Sequence, residues 1–265
     1  MSKYSRRDMT VVLSGDGGDE VFSGYPKYSV QNIIEKYKWM GFATELLGKF
    51  VPDSIQFKKA FKLFNSDFEV RQFIFGSGAP CKEDGERILG HEIDEKRVFE
   101  ESYKYSQEFK QNDIINKSNY LDWKLQLPDW YLVKSDRGTM ANSQEMRSPL
   151  MDKDLAEYML SVPGKIKMKN GQSKYILKKL LSRHYPSAFV NRKKRGFGVP
   201  LDKWMRGELR DLFEYYVSIE NGVFDSAVSK RLLKEHLSCQ RDHRFQLLRI
   251  FSFNYFYKNV YGSSN

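Results

Sequence analysis

The stretch that most constrains this chain is Val11-Val12-Leu13-Ser14-Gly15-Asp16-Gly17-Gly18-Asp19-Glu20-Val21-Phe22. An apolar, β-branched run leads into a glycine-rich turn bearing carboxylates, and apolar residues resume behind it. Val11–Leu13 reads as a short buried strand, because an unbroken apolar run suits a sheet covered on both faces. Gly15, Gly17 and Gly18 permit backbone angles and close approaches that side chains forbid, so main-chain N–H groups can turn toward an anion. Asp16, Asp19 and Glu20 would repel a bare phosphate. Such a turn makes chemical sense when a hard cation such as Mg²⁺ lies between carboxylate and anion. A solvated acidic surface loop fits the same residues, and only distant segments choose between the two.

A chain of 265 residues can bury a sizeable core, as one domain or two small ones. Hydrophobic residues at 40% suit a globular protein. No apolar run approaches the length of a membrane span, and the basic N-terminus MSKYSRRDMT lacks the apolar segment of a secretory signal. Cys81 and Cys239 are far apart and without metal-ligand spacing, which fits a reducing, cytoplasmic setting rather than a disulfide framework or zinc site. His91, His184, His236 and His243 are scattered and read as surface or capping residues. The net charge of +10, from 44 Lys+Arg against 34 Asp+Glu, suits nucleic acid, an anionic membrane surface or a phosphate-rich small substrate. A solvated surface accounts for it equally well.

Behind the turn the chain reads as mostly helical. Gly24-Tyr25-Pro26 breaks it, Lys27–Met40 reads as helix, and Phe61, Phe64 and Phe68 recur at helical, core-facing spacing. Gly76–Pro80 is a loop. A largely buried helix is expected over Asn112–Leu127, stopped by Pro128. Asp129–Ser143 continues with Trp130, Val133, Arg137 and Met140 on one face. Asp136 and Arg137 interrupt that face, and charges buried there should be paired. Asp152 is placed to cap a helix ending at Pro163. Gly164–Gln172 reads as a basic loop with a turn at Asn170-Gly171. Ser173 is placed to cap the next helix, which puts Lys174 at its first position, where an ammonium and free N–H groups could converge on an anion. Asn191–Pro200 is a basic loop with Phe197 in a glycine frame that could track a nucleic-acid backbone. Leu209–Phe213, Val228–Leu237 and Phe245–Tyr257 read as apolar-faced helices.

Taken together, V-V-L-S-G-D-G-G-D-E-V-F-S-G-Y-P-K-Y (11–28), V-K-S-D-R-G-T-M-A-N-S-Q-E-M-R-S-P-L-M-D (133–152), G-Q-S-K-Y-I-L-K-K (171–179) and N-R-K-K-R-G-F-G-V-P-L-D-K-W (191–204) resemble the synthetase domain of glutamine-hydrolysing asparagine synthetases, in order and spacing. The resemblance runs over essentially all of residues 1–265. It implies a mainly α chain: the helical C-terminal portion of an α/β ATP-pyrophosphatase domain (adenine nucleotide alpha hydrolase-like), with a remnant strand at 11–13. It also implies a ligase of asparagine biosynthesis that uses ATP and Mg²⁺. Aspartate's β-carboxylate would be adenylated, and ammonia from a glutaminase domain would then displace AMP. On the matching positions, Asp19 would hold Mg²⁺ and the amides of Ser14, Gly15, Asp16, Gly17 and Gly18 would line the phosphate region. Asp16 would face the substrate or acyl-adenylate, and Lys174 would stabilise charge at the α-phosphate. Glu145 and Arg147 would be catalytic or substrate-facing, Arg147 being a candidate for an aspartate carboxylate because a guanidinium binds it bidentately. Where the family usually reads F-G-G-Y, Ser23 replaces the first glycine, a change expected to be tolerated.

The family's glutaminase domain and its upstream S-G-G-x-D-S phosphate loop have no counterpart in this sequence. The expectation is therefore a chain carrying half a nucleotide site, with no pyrophosphate release on its own. Its first strand should be unpaired and its apolar surface exposed, suited to self-association or to a partner supplying the N-terminal half. Other readings stay open. One is amidation of a different carboxylate, such as a sugar acid of a surface polysaccharide. Another is a non-catalytic remnant or interaction module. A third is nucleic-acid binding through Lys193–Phe197, which is not the expected partnership.

Overall fold

The computed structural model describes residues 1–40, 64–77, 82–192 and 198–261. It is mostly helical, and its sheet is formed where the acidic turn begins. Strand β1, Val11–Leu13, pairs in parallel with β2, Glu145–Arg147, in the register Val11↔Glu145, Val12↔Met146 and Leu13↔Arg147. Glu145 N–H donates to Thr10 O and Ser14 N–H to Arg147 O, both at 2.8 Å, extending the ladder at each end. This corrects the expectation of an unpaired strand. Two parallel strands need a long crossover, and the helices between residues 18 and 140 supply it. The strand is not buried either: Val11 is 43% and Leu13 74% exposed. Two strands shield each other's edge but not each other's faces.

The described residues divide into two units, Met1–Ser77 with Phe99–Lys193, and Gly78–Val98 with Lys194–Asn265. In the first, Val21 and Phe22 behind the acidic turn pack with Ala156 and Met159 of the helix Lys153–Ser161. Asp152 caps that helix as expected, accepting from Leu155 N–H at 3.0 Å. In the second, Met205, Phe213, Val217, Leu232, Leu233, Leu247 and Ile250 form a core among the helices Leu201–Arg206, Arg210–Val217, Ser226–Leu237 and Arg244–Phe256.

Several local expectations are corrected. Pro128 does not stop its helix. Ile114–Leu121 passes into a π-helical stretch, Asp122–Leu132, with Pro128 inside, and on into Val133–Met140. The wider turn shifts the hydrogen-bond ladder, so the missing proline N–H and the ring are accommodated. Trp130, Val133 and Met140 lie on an exposed face, and Asp136 and Arg137 are exposed with them. Solvated charges need no partner. Gly164–Lys167 is a short helix rather than loop, and it buries Lys167. The turn at Asn170-Gly171 is present, with φ of +53° and +72°. His236 and His243 are buried, not surface residues, although His243 does stand at the cap of Arg244–Phe256. Phe61, the Gly78–Pro80 part of the expected loop, Cys81 and the Lys193–Phe197 segment lie outside the described residues.

The base of the first unit is a buried polar network. Asp122 accepts from Lys27 Nζ, Tyr28 OH and Gln72 Nε2, each at 2.7 Å. Lys27 also donates to Gln126 Oε1 at 2.8 Å, and Arg71 Nε to Gln31 Oε1 at 2.8 Å. Buried charge is tolerated where it is paired and hydrogen-bonded, and this set ties the helix Pro26–Lys36 to the helix Phe68–Ser77 and to the π-helical stretch Asp122–Leu132.

Candidate active site

The acidic turn leaves β1 at Ser14 and becomes a one-turn helix, Gly18–Val21, capped by Gly17. Gly17 has φ +80°, and a Cβ there would also collide with the Met151 side chain. Conformation and space both demand glycine at this position. Ser14 Oγ lies 2.7 Å from Ser148 Oγ. Asp16 Oδ2 accepts from Ser14 Oγ and Ser135 Oγ, both at 3.2 Å, and Asp16 N–H donates to Ser14 Oγ at 3.2 Å. The carboxylate of Asp16 is thereby held by two hydroxyls. Ser135 and Ser148 carry no sequence signal of a site role beyond lying in the 133–152 segment that carries the resemblance.

This helix and the residues behind it are held tightly as well. Glu20 is buried, and burial raises its carboxyl pKa against the hydrogen bond from Tyr25 OH at 2.8 Å. Asn119 Nδ2 donates to Glu20 O. Ser23 adopts φ +56°, the left-handed region that favours glycine, which gives a physical reason for the glycine of the usual family text.

Asp19 and Lys174, far apart in the chain, meet: Lys174 Nζ is 2.9 Å from Asp19 Oδ1, with both side chains partly exposed. Their meeting place is the backbone of Gly24, where a Cβ would overlap the Asp19 carboxylate and the Lys174 stem. Lys174 is not at the first helical position. It is itself the cap of Tyr175–Leu181, with φ +54°. This left-handed bend turns its side chain back over the acidic turn instead of along the helix.

Glu145 and Arg147 sit on the same face of β2, as residues two apart on a strand must. Their side chains pair with each other, Arg147 Nε donating to Glu145 Oε1 at 2.9 Å, and both are exposed. The Arg147 main chain touches Ser14, but its guanidinium is engaged by Glu145. The structure thus joins Ser14 to Asp16 and Asp19 to Lys174, while the Glu145–Arg147 pair stands apart as a surface ion pair.

Among the described residues, no three or more His, Cys, Asp or Glu side chains converge as a metal cage. Magnesium in a nucleotide site needs no such cage, being held by one or two carboxylates together with phosphates and water. Asp19 is a hard oxygen donor of that kind, so it fits a phosphate-bound ion if Lys174 passes from its carboxylate to the phosphate.

The asparagine synthase family model matches residues 1–258, and the chain belongs to that family. It is 27% identical over 262 residues to asparagine synthetase [glutamine-hydrolyzing] 1 of Bacillus subtilis strain 168, covering 96% of this chain and 41% of that protein. It is 27% identical over 259 residues to a putative asparagine synthetase [glutamine-hydrolyzing] of Mycobacterium bovis, covering 93% of this chain and 39% of that one. Asparagine synthetase [glutamine-hydrolyzing] 3 of B. subtilis is 30% identical over 190 residues, 71% of this chain and 26% of that relative. The chain thus spans about two fifths of the length of the first two relatives. No solved structure matches it. Among the described residues, no helix is long and apolar enough to cross a membrane.

Proposed function

We propose that this chain supplies the pyrophosphate side of an asparagine-forming ligase that acts in the cytoplasm. In the first step a β-carboxylate oxygen of aspartate attacks the α-phosphorus of ATP. The bond to the bridging oxygen breaks, and pyrophosphate leaves. In the second, the ammonia nitrogen attacks the acyl carbon and gives up one proton to water, and AMP leaves with the electrons of the acyl–oxygen bond. The ammonia comes from a glutaminase domain. The observation that carries this reading is the Asp19–Lys174 contact at 2.9 Å, which places an ammonium over a glycine-rich turn containing carboxylates. Lys174 offsets charge developing at the α-phosphate, electrostatic stabilisation commonly worth several kcal/mol, on the order of 3 kcal/mol per preorganised donor. Asp19 would hold Mg²⁺, whose chemistry is to neutralise the pyrophosphate oxygens. The amides from Ser14 to Gly18 line the phosphates, and Asp16, fixed by Ser14 and Ser135, faces the acyl-adenylate. Arg147 exchanges Glu145 for the substrate's carboxylate, and Glu145 would join the reacting groups only once that surface pair has opened.

The test is aspartate-dependent exchange of labelled pyrophosphate into ATP. These 265 residues alone should give none, and adding a polypeptide that bears the S-G-G-x-D-S loop and the strands beside it should restore it. Exchange that persists in Lys174→Gln or Asp19→Asn would sink the assignment. Aspartate and hexuronic acids offered in parallel decide which carboxylate is the acceptor.

A further inference from the structure

The second unit contains a cleft of about 200 Å³ between the helices Lys82–Leu89 and Ser226–Leu237 and the start of Arg244–Phe256. Arg87, Arg231 and Arg241 line it, together with Asp84, Glu235 and His243. Its construction is local and specific. Asp84 and Arg87 stand three apart on one helix, and Arg231 and Glu235 four apart on the next, so each pair shares a face. The chain then folds back: Gln240 and Arg241 N–H groups both donate to Glu235 O, at 3.0 and 3.2 Å. This reversal, with Cys239 at φ +59°, delivers Arg241 and His243 to the same place.

The carboxylates are already committed. Asp84 Oδ1 takes Arg87 at 3.2 Å, and Glu235 Oε2 takes His243 Nε2 at 2.6 Å, with Arg231 at 3.8 Å from Glu235 Oε1. The His243 hydrogen bond, aided by Arg231 and Arg241, holds the Glu235 carboxyl below the usual range. Among the described residues, Arg241 has no ion-pair partner for its guanidinium, and the almost wholly buried His243 already spends its Nε2 on Glu235. Guanidinium groups from separate segments therefore face a small space with donor capacity left over. Clefts for drug-sized ligands run to about 300–1,000 Å³, so this one is too small to enclose a whole nucleotide. A tetrahedral oxyanion fits, and guanidinium forks match phosphate oxygens bidentately.

We propose that this cleft binds a phosphoryl group, presented as free phosphate or on a phosphorylated side chain. The claim is independent of the ligase reading. Calorimetric titration of the chain with sodium phosphate, at ionic strength matched with NaCl, should give saturable binding. Arg241→Gln and Arg87→Gln change exposed residues, and each should weaken it about tenfold or more while melting at the wild-type temperature in NaCl. Lys174→Gln should leave it unchanged, which separates this cleft from the acidic turn. A phosphoseryl peptide and its unphosphorylated twin, titrated in parallel, identify the source of the group: tighter binding of the phosphopeptide assigns a macromolecular ligand, and equal or tighter binding of phosphate a small one. No heat beyond the NaCl control, or binding that survives both arginine substitutions, overturns the proposal.

Discussion

Ser23 holds a left-handed backbone, φ +56°, while its buried hydroxyl donates to Asn119 Oδ1 at 3.2 Å and lies 3.0 Å from Asn119 Nδ2. A side chain in that conformation costs about 1–2 kcal/mol, and the Asn119 contact offsets part of it. Glycine at position 23 relieves the backbone but leaves the buried Asn119 carbonyl without its donor, a loss of about 1–3 kcal/mol. Alanine keeps the strain and loses the bond as well. Urea unfolding should therefore place Ser23→Ala below both wild type and Ser23→Gly, by about 1 kcal/mol or more relative to the glycine variant. An alanine variant as stable as the glycine variant would show that the backbone at Ser23 is not strained.

Lys167 is 1% exposed, and its Nζ has no hydrogen-bond partner among the described residues. Burial lowers its pKa from 10.5 to about 8, with Asp113 pulling the other way. The unfolded chain keeps this proton up to higher pH than the folded one. Stability contributed by Lys167 therefore rises as pH goes from about 8 to 10.5 and is lowest below about 8. At pH 7 the buried ammonium costs on the order of 3 kcal/mol. Lys167→Met should be more stable than wild type at pH 7, by about 2 kcal/mol, and the gain should shrink at pH 10. Chemical denaturation at both pH values checks this, and no gain at pH 7 would refute it.

The acidic turn, its following apolar residues, the Asp152 cap and the apolar-faced helices near the C-terminus were legible because each rests on local pattern. What the sequence did not carry is tertiary. Val11 and Leu13 read as buried because nothing in a strand's composition tells how many neighbours will cover it. Asp136 and Arg137 read as buried and paired for the same reason, since Trp130, Val133 and Met140 look like a core face in isolation. Pro128 reads as a helix stop because a π-helical turn has no composition signature of its own. Lys174 was legible as a residue at a helix start, but its φ of +54° was not. Lysine gives no hint of a left-handed cap, and that bend is what carries its ammonium to Asp19. The serines that fix Asp16 come from distant segments and had no signal beyond lying in a motif.

His236 is buried and accepts a hydrogen bond from His243 N–H at Nδ1, 3.2 Å away, so its own proton is on Nε2. Burial lowers its pKa below 6.5, Arg206, His243 and Arg244 adding to the effect and Asp242 opposing it. As pH falls below 6.5 the unfolded chain takes up this proton first, so stability present above that pH is lost on the acid side. Protonation at Nδ1 would also displace the His243 N–H. His236→Gln should flatten the fall in melting temperature between pH 7 and pH 5. An unchanged slope would assign the acid loss to other groups.

Gly24 gives the sharpest test of the Asp19–Lys174 arrangement, because it takes no part in the charge pairing. A methyl group at this position would overlap the Asp19 carboxylate and the Lys174 stem, while the left-handed strain that affects Ser23 does not arise here. Gly24→Ala should therefore push the two side chains apart with modest loss of stability, on the order of 1–3 kcal/mol as for overpacking elsewhere. Pyrophosphate exchange in the reassembled ligase should fall at least as far as in Lys174→Gln, about a hundredfold for loss of one aligned electrostatic group. Pairing Gly24→Ala with Lys174→Gln distinguishes the routes: if the glycine acts by keeping the ammonium over the turn, the double variant should be scarcely worse than either single one. Additive losses would mean that Gly24 serves the fold and not the site.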